Sequence, residues 1–179
     1  MYHCIALLRA VNVGGTGKLP MAVFRKVLED LGYTKVETYI QSGNAVFDAP
    51  CLPAEAALAI AASLRPLLGS AAAVMVRTHE QLGQVIAANP FAAEAATEGG
   101  RVHAVFLSAI PAAPSVPGLS AIPVRRERYQ VVGDTLYLHL PDGAADTKFT
   151  AKTFERLLGV TTTTRNWNTV LKLHAMSRL

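Results

Sequence analysis

Hydrophobic residues fall at two alternating periods along this chain, and the order of those periods predicts its architecture. From Tyr2 to Arg9 the positions are apolar on both faces of an extended segment, with Cys4, Ala6 and Leu8 on one side and Ile5 and Leu7 on the other. That pattern predicts a strand in the middle of a sheet. A glycine-rich loop follows. Pro20 then stands at the opening of a helix whose stripe is Met21, Phe24, Val27, Leu28 and Leu31 and whose end is marked by Gly32. Val36 to Gln41 and Ala45 to Phe47 read as strands joined by Ser42-Gly43-Asn44, a hairpin turn. Pro53 opens a second helix, with Ala57, Ile60, Leu64, Leu67 and Leu68 on its inner face and Gly69 after its end, and Ala73 to Arg77 returns as a strand.

The order β-α-β-β-α-β is that of a ferredoxin-like unit. Thr78-His79-Glu80-Gln81 then reads as a capping box opening a helix through Leu82, Val85 and Ile86 that Asn89-Pro90 stops, and Phe91 to Gly100 reads as a linking segment. Val102 to Leu107 predicts a strand, and Tyr129 to Leu140 a hairpin turning at Gly133-Asp134. Phe154, Leu157 and Leu158 mark a helix ended by Gly159, Val160 to Thr164 is a β-branched strand, and Trp167 to Met176 is a closing helix. The second half repeats the first provided a helix occupies Pro111 to Ser120, where Pro111, Pro114 and Pro117 oppose a regular one. The fold expected is therefore α+β, two ferredoxin-like βαββαβ halves packed as one compact unit with a C-terminal helix. The expected division is 1–78 for the first half, 79–100 for a helical linker and 101–179 for the second half with its helix, one structural domain overall.

Composition sharpens this picture in few places. An apolar share of 51% and a charged share of 17% over 179 residues exclude a disordered chain and fit a well-filled core. Seventeen basic residues against thirteen acidic ones give +4, which permits an anionic partner without requiring one. Arg125, Arg126 and Arg128 form the one dense basic cluster, and a solvated loop face explains it as well as nucleic acid does. Two cysteines, Cys4 and Cys51, without CxxC spacing indicate neither a disulfide framework nor a zinc site and fit a reducing cytoplasm. No basic leader and no apolar run of membrane length is present, so no membrane partner is expected. The five histidines show no metal-ligand spacing, and no metal or other cofactor is expected.

The chemistry concentrates in a few polar stretches. Gly14-Gly15-Thr16-Gly17-Lys18 invites comparison with a phosphate loop, but Asn12 stands where that motif needs glycine and Leu19 where it needs Ser or Thr. A looser anion cradle leading into a helix N-terminus remains, beside the plainer reading that the glycines only turn the chain from strand to helix. Ser42 and Asn44 fit a turn as well as a site. Asn166 suits a helix N-cap and Trp167 a core anchor, which leaves Arg165, with Lys148, as cations lacking an evident local role. The ligand-binding candidates are thus Arg9, Asn12, Gly14, Gly15, Lys18, Ser42, Asn44, Lys148, Arg165 and Asn166. No nucleophile or general base accompanies them, so the residues leave open whether the chain is an enzyme, and they do not fix its oligomeric state.

Three separated motifs, Arg9-Ala10-Val11-Asn12-Val13-Gly14-Gly15, Tyr39-Ile40-Gln41-Ser42-Gly43-Asn44 and Thr164-Arg165-Asn166-Trp167, together resemble the domain of unknown function 1697 family. The family pattern reads L-R-G-I-N-V-G-G, T-Y-I-Q-S-G-N and T-R-N-W-x-T-V; Ala10 replaces its glycine and Val11 its isoleucine. Lys148 stands where the family often has a Ser-Lys or Thr-Lys pair. The resemblance implies a small, mostly bacterial protein of two ferredoxin-like halves, and it implies no activity. The expected function is binding of a small anionic metabolite or nucleotide where the first loop, the Ser-Gly-Asn turn and the Arg165 segment meet. The rivals are a structural or protein-interaction module and weak RNA binding, the last of which predicts a steep salt dependence.

Overall fold

The fold is that of a computed structural model that describes residues 1–13, 17–69 and 72–178. The chain divides into two compact units, Met1–Gln84 with Lys172–Leu179, and Val85–Leu171. In the first, β1 (Tyr2–Leu8), α1 (Met21–Asp30), β2 (Thr34–Tyr39), β3 (Asn44–Ala49), α2 (Pro53–Leu68) and β4 (Val74–Thr78) build an antiparallel sheet in the order β2-β3-β1-β4. This is the strand order of a ferredoxin-like βαββαβ unit. The core lies between α1, α2 and one sheet face, where Cys4, Ala6, Leu8, Ala45, Phe47 and Val76 meet Phe24, Leu28, Ile60 and Leu64. Ile5, Leu7 and Val46 on the opposite face are buried too, as the two-sided apolar pattern of the first strand requires.

The second unit repeats the strand order as β6-β7-β5-β8. Its strands are β5 (Val102–Leu107), β6 (Arg128–Val132), β7 (Thr135–His139) and β8 (Thr162–Asn166), with α5 (Ala151–Leu158) before the last. The crossover after β5 is a 3-10 helix, Ala113–Ala121, as the prolines there demand: Pro117 lies inside it and cannot donate to an α-helical ladder. Val105, Leu107, Leu119, Leu136, Leu138, Phe154 and Leu158 form its core.

Three local expectations change. Phe91 to Gly100, read as a linker, contains a helix, α4 (Ala92–Glu98), pinned by buried Phe91 and Ala95. The last strand lies two residues later than its β-branched run, because Thr162 to Asn166 pair with Leu107 to His103. Asn44 belongs to β3, not to the turn, and pairs with Tyr39 and Leu7. The capping box ahead of α3 (His79–Ala87) is reciprocal, with Gln81 N donating to Thr78 Oγ1 at 3.1 Å and Thr78 N donating to Gln81 Oε1 at 2.9 Å. The last helix, α6 (Trp167–Met176), follows directly on β8. Among the described residues no helix is long and apolar enough to cross a membrane.

Candidate functional site

At the end of β1 the backbone leaves the sheet under tight control. Leu8 N donates to Gly43 O at 2.8 Å and Arg9 N to Ala73 O at 3.0 Å, so the loop starts between the β2–β3 turn and the entry to β4. Ala10 and Asn12 then take left-handed φ values of 51° and 55°, conformations in which a Cβ is crowded. Asn12 holds the loop closed. Its Nδ2 donates to Leu19 O at 2.9 Å and to Gln41 O at 2.7 Å, its Oδ1 accepts from Leu19 N at 2.9 Å, and its own N donates to Gly17 O at 3.0 Å. One side chain therefore stitches the two ends of the loop together and ties them to the neighbouring turn. Gly17 completes the closure: at φ +61° a Cβ there would stand 2.9 Å from Ala10 O.

The turn that receives Asn12 is itself packed against the loop. Gly43 has φ +79°, and a Cβ on it would lie 2.4 Å from Val11 Cγ2 and 2.7 Å from Leu8 Cβ. Ile40, a β-branched residue, sits at φ 49° and is 49% exposed. Asn44 is fully buried, and its Nδ2 donates to Tyr39 O at 3.1 Å and to Ser42 Oγ at 2.9 Å, closing the turn from inside the strand. The structure thus brings Arg9, Asn12, Ser42 and Asn44 into one neighbourhood of the first unit.

Beyond the loop, Lys18 is exposed and Pro20 is the N-cap of α1. Among the described residues no side chain caps this helix, and no acidic residue occupies its first turn. Its first N–H groups therefore keep their positive end uncompensated by a side chain. Gly14 and Gly15, also expected here, lie outside the described residues. A groove of about 320 Å³ lined by Val27, Asp30, Leu31 and Ser63 lies at the other end of α1, with a carboxylate rather than a cation in its wall.

Lys148, Arg165 and Asn166 lie in the second unit. Arg165 is buried, and its Nη1 donates to Thr163 Oγ1 and to Thr164 O, each at 2.8 Å; burial lowers its pKa to about 10, which leaves it charged at neutral pH. Asn166 Oδ1 accepts from Thr169 N at 2.9 Å, an N-cap for α6. Lys148 is exposed. The basic cluster of the same unit is largely neutralised. Arg126 pairs with Asp142 at 2.7 Å, while Arg128 pairs with Glu94, donates to His139 Nδ1 and lies 5.0 Å over the Phe91 ring. Cys4 is fully buried, and burial pushes its thiol up to about 12, which makes it inert at neutral pH. Among the described residues no group of three or more His, Cys, Asp or Glu side chains could hold a metal ion.

A family model described as protein of unknown function, DUF1697, matches residues 1–137. The chain belongs to the DUF1697 family. The match includes the loop and the turn described above. The glycine of the family pattern falls on Ala10, whose left-handed φ gives that glycine a conformational role. The structure of the conserved bacterial protein SP0830 from Streptococcus pneumoniae is similar, with a TM-score of 0.76 at 21% identity over 99% of each chain; at that identity the likeness speaks for the fold alone. Comparison with curated proteins gives no match. Two contributors to this DUF1697 loop were missed by sequence reasoning, namely the close approach of Gly43 to Val11 and the strained Ile40. The Ser-Gly-Asn string was their only signal, and turn chemistry alone explains that string.

Proposed function

We propose that this cytoplasmic DUF1697 chain binds a small anionic metabolite or nucleotide at the loop between β1 and α1. Lys18 and Arg9 supply positive charge, and the first N–H groups of α1 supply donors. Asn12, Ser42 and Asn44 hold the loop and turn in register. The observation that carries this reading is the start of α1, which lacks both a side-chain cap and an acidic residue while an exposed lysine stands two residues before its N-cap. A helix N-terminus of that kind accepts phosphate or carboxylate through backbone donors and its dipole. The strained φ values at Ala10, Asn12 and Ile40 support it, because backbone strain of this kind concentrates where a surface is preorganised for a ligand. The two free cysteines support the reducing compartment. Lys148, Arg165 and Asn166 belong on this reading to the framework of their own half.

A rival structural reading draws on Asn12, whose amide is wholly engaged with backbone groups. A thermal-shift series with inorganic phosphate, a nucleoside monophosphate, a phosphosugar and a dicarboxylate separates the two. At tenfold excess over Kd, a bound anion stabilises the fold by about 1.4 kcal/mol, about 3–5 °C in Tm for a chain of this size. Lys18→Ala is expected to leave the ligand-free Tm unchanged and to abolish most of the shift. If no anion raises Tm at millimolar concentration, the structural reading stands instead.

A further inference from the structure

The outer face of α2 is apolar in a place where a surface helix ordinarily carries charge. Ala54, Leu58, Ala62 and Pro66, four residues apart and all exposed, form one ridge along it, with Leu58 74% exposed. Leu52 and Leu67, 52% and 53% exposed, extend the apolar surface beyond each end of this ridge. Within the 16 residues of the helix, Glu55 and Arg65 alone are charged. Their placement is self-complementary. Leu58 with Ala62, Glu55 with Arg65, and Ala54 with Pro66 are each centred on position 60, the buried Ile60 at the middle of the helix.

We infer that this face of α2 is the contact surface for a second copy of the chain, packed antiparallel about a two-fold axis passing by position 60. Such an axis puts each ridge against its own counterpart, with Leu58 of one copy beside Ala62 of the other, where the small side chain lets the helices approach. It also brings Glu55 of each copy to the end of the other helix that carries Arg65, so opposite charges face at both ends. A lipid surface fits less well, since membrane-lying helices carry lysines and arginines along the polar border and here Arg65 alone does so. A helix of this length is about 24 Å long. The contact is therefore at the small end of specific interfaces, and association is concentration-dependent. This inference does not depend on the anion site, which lies on the loop before α1.

Sedimentation velocity over a wide concentration range tests it. The weight-average mass is expected to rise from 19.0 kDa towards twice that value as concentration increases. Leu58→Glu, at an exposed position, is expected to keep the protein monomeric at every concentration with an unchanged circular dichroism spectrum. Arg65→Glu alone is expected to weaken the dimer, and adding Glu55→Arg to restore it. A wild-type protein that stays at 19.0 kDa throughout, or a dimer that Leu58→Glu leaves intact, overturns the inference.

Discussion

The two halves share a strand order, and the ends of their first strands are held by the same pair of hydrogen bonds. In one, Leu8 N donates to Gly43 O and Arg9 N to Ala73 O; in the other, Leu107 N donates to Asp134 O and Ser108 N to Thr161 O. What leaves each strand differs. After Arg9 the chain is strained, stitched by Asn12 and delivered to the uncapped start of a ten-residue α-helix. After Ser108, whose Oγ accepts from Thr161 N at 3.1 Å, it runs through prolines into a 3-10 helix. A 3-10 segment with proline at its start has fewer aligned N–H groups to present, and Ser108 brings no charge. The sheet is thus common to both halves, and the proposal of an anion site rests on the crossover of the first alone.

Substitutions in corresponding segments measure how far the halves diverge, and the glycines of the two hairpin turns should diverge most. Gly43→Ala forces a Cβ into Val11 and Leu8 and adds left-handed strain, a combined loss of about 3 kcal/mol or more. Gly133→Ala, at φ +59° with no atom within 4 Å of the added Cβ, should lose only about 1 kcal/mol. Chemical denaturation of the two variants checks the difference, and equal losses would break the contrast. Asn12→Ala comes next. It removes three hydrogen bonds to backbone groups and should cost about 2 kcal/mol by the same assay, against about 0.5–1 kcal/mol for Ser108→Ala.

Acid should loosen both halves through different groups. Burial lowers the pKa of His103 in the second unit, against a hydrogen bond to Arg101 that raises it; burial, His79 and Arg178 lower that of His174 in the first. A histidine depressed below 6.5 in the folded state takes up its proton more readily when unfolded, so stability is full above that pH and is lost as pH falls through the folded value. His103→Gln should flatten this dependence in urea midpoints measured from pH 7.5 down to pH 5, on the order of the ordinary histidine range. Asp48 acts at lower pH. Burial alone would raise it, but His3 and Lys35 hold the carboxyl below 3.8, so its contribution is lost only as pH falls beneath that value. A gain of equally small size is expected elsewhere: Ala10→Gly relieves left-handed strain but frees the unfolded chain, a net stabilisation of about 0.5–1 kcal/mol.

Much of the fold was legible from periodicity. Glycine and proline punctuation bounded α1 and α2, Gly159 ended α5, and Gly133-Asp134 marked a two-residue hairpin turn between β6 and β7. Helix α4 was not legible, because alanines with scattered acids carry no stripe, and only the burial of Phe91 and Ala95 commits the segment. The surroundings of the first loop were legible in part. The loop and the Ser-Gly-Asn turn were expected to lie together, and they do, through Leu8, Val11 and Asn12. Their chemistry was not, because an asparagine that binds backbone and one that binds a ligand look identical in a sequence. Asn12, Asn44 and Asn166 all have backbone partners here, which moves the weight of the anion proposal onto Lys18 and the start of α1.

That proposal is tested most directly by following backbone amide resonances while inorganic phosphate is added. Saturable shifts at Lys18, Met21 and Ala22, absent from Ser108 and its neighbours and lost in Lys18→Ala, are the predicted result. Amides at the start of α1 that do not move, or that move no more than those after β5, would contradict it.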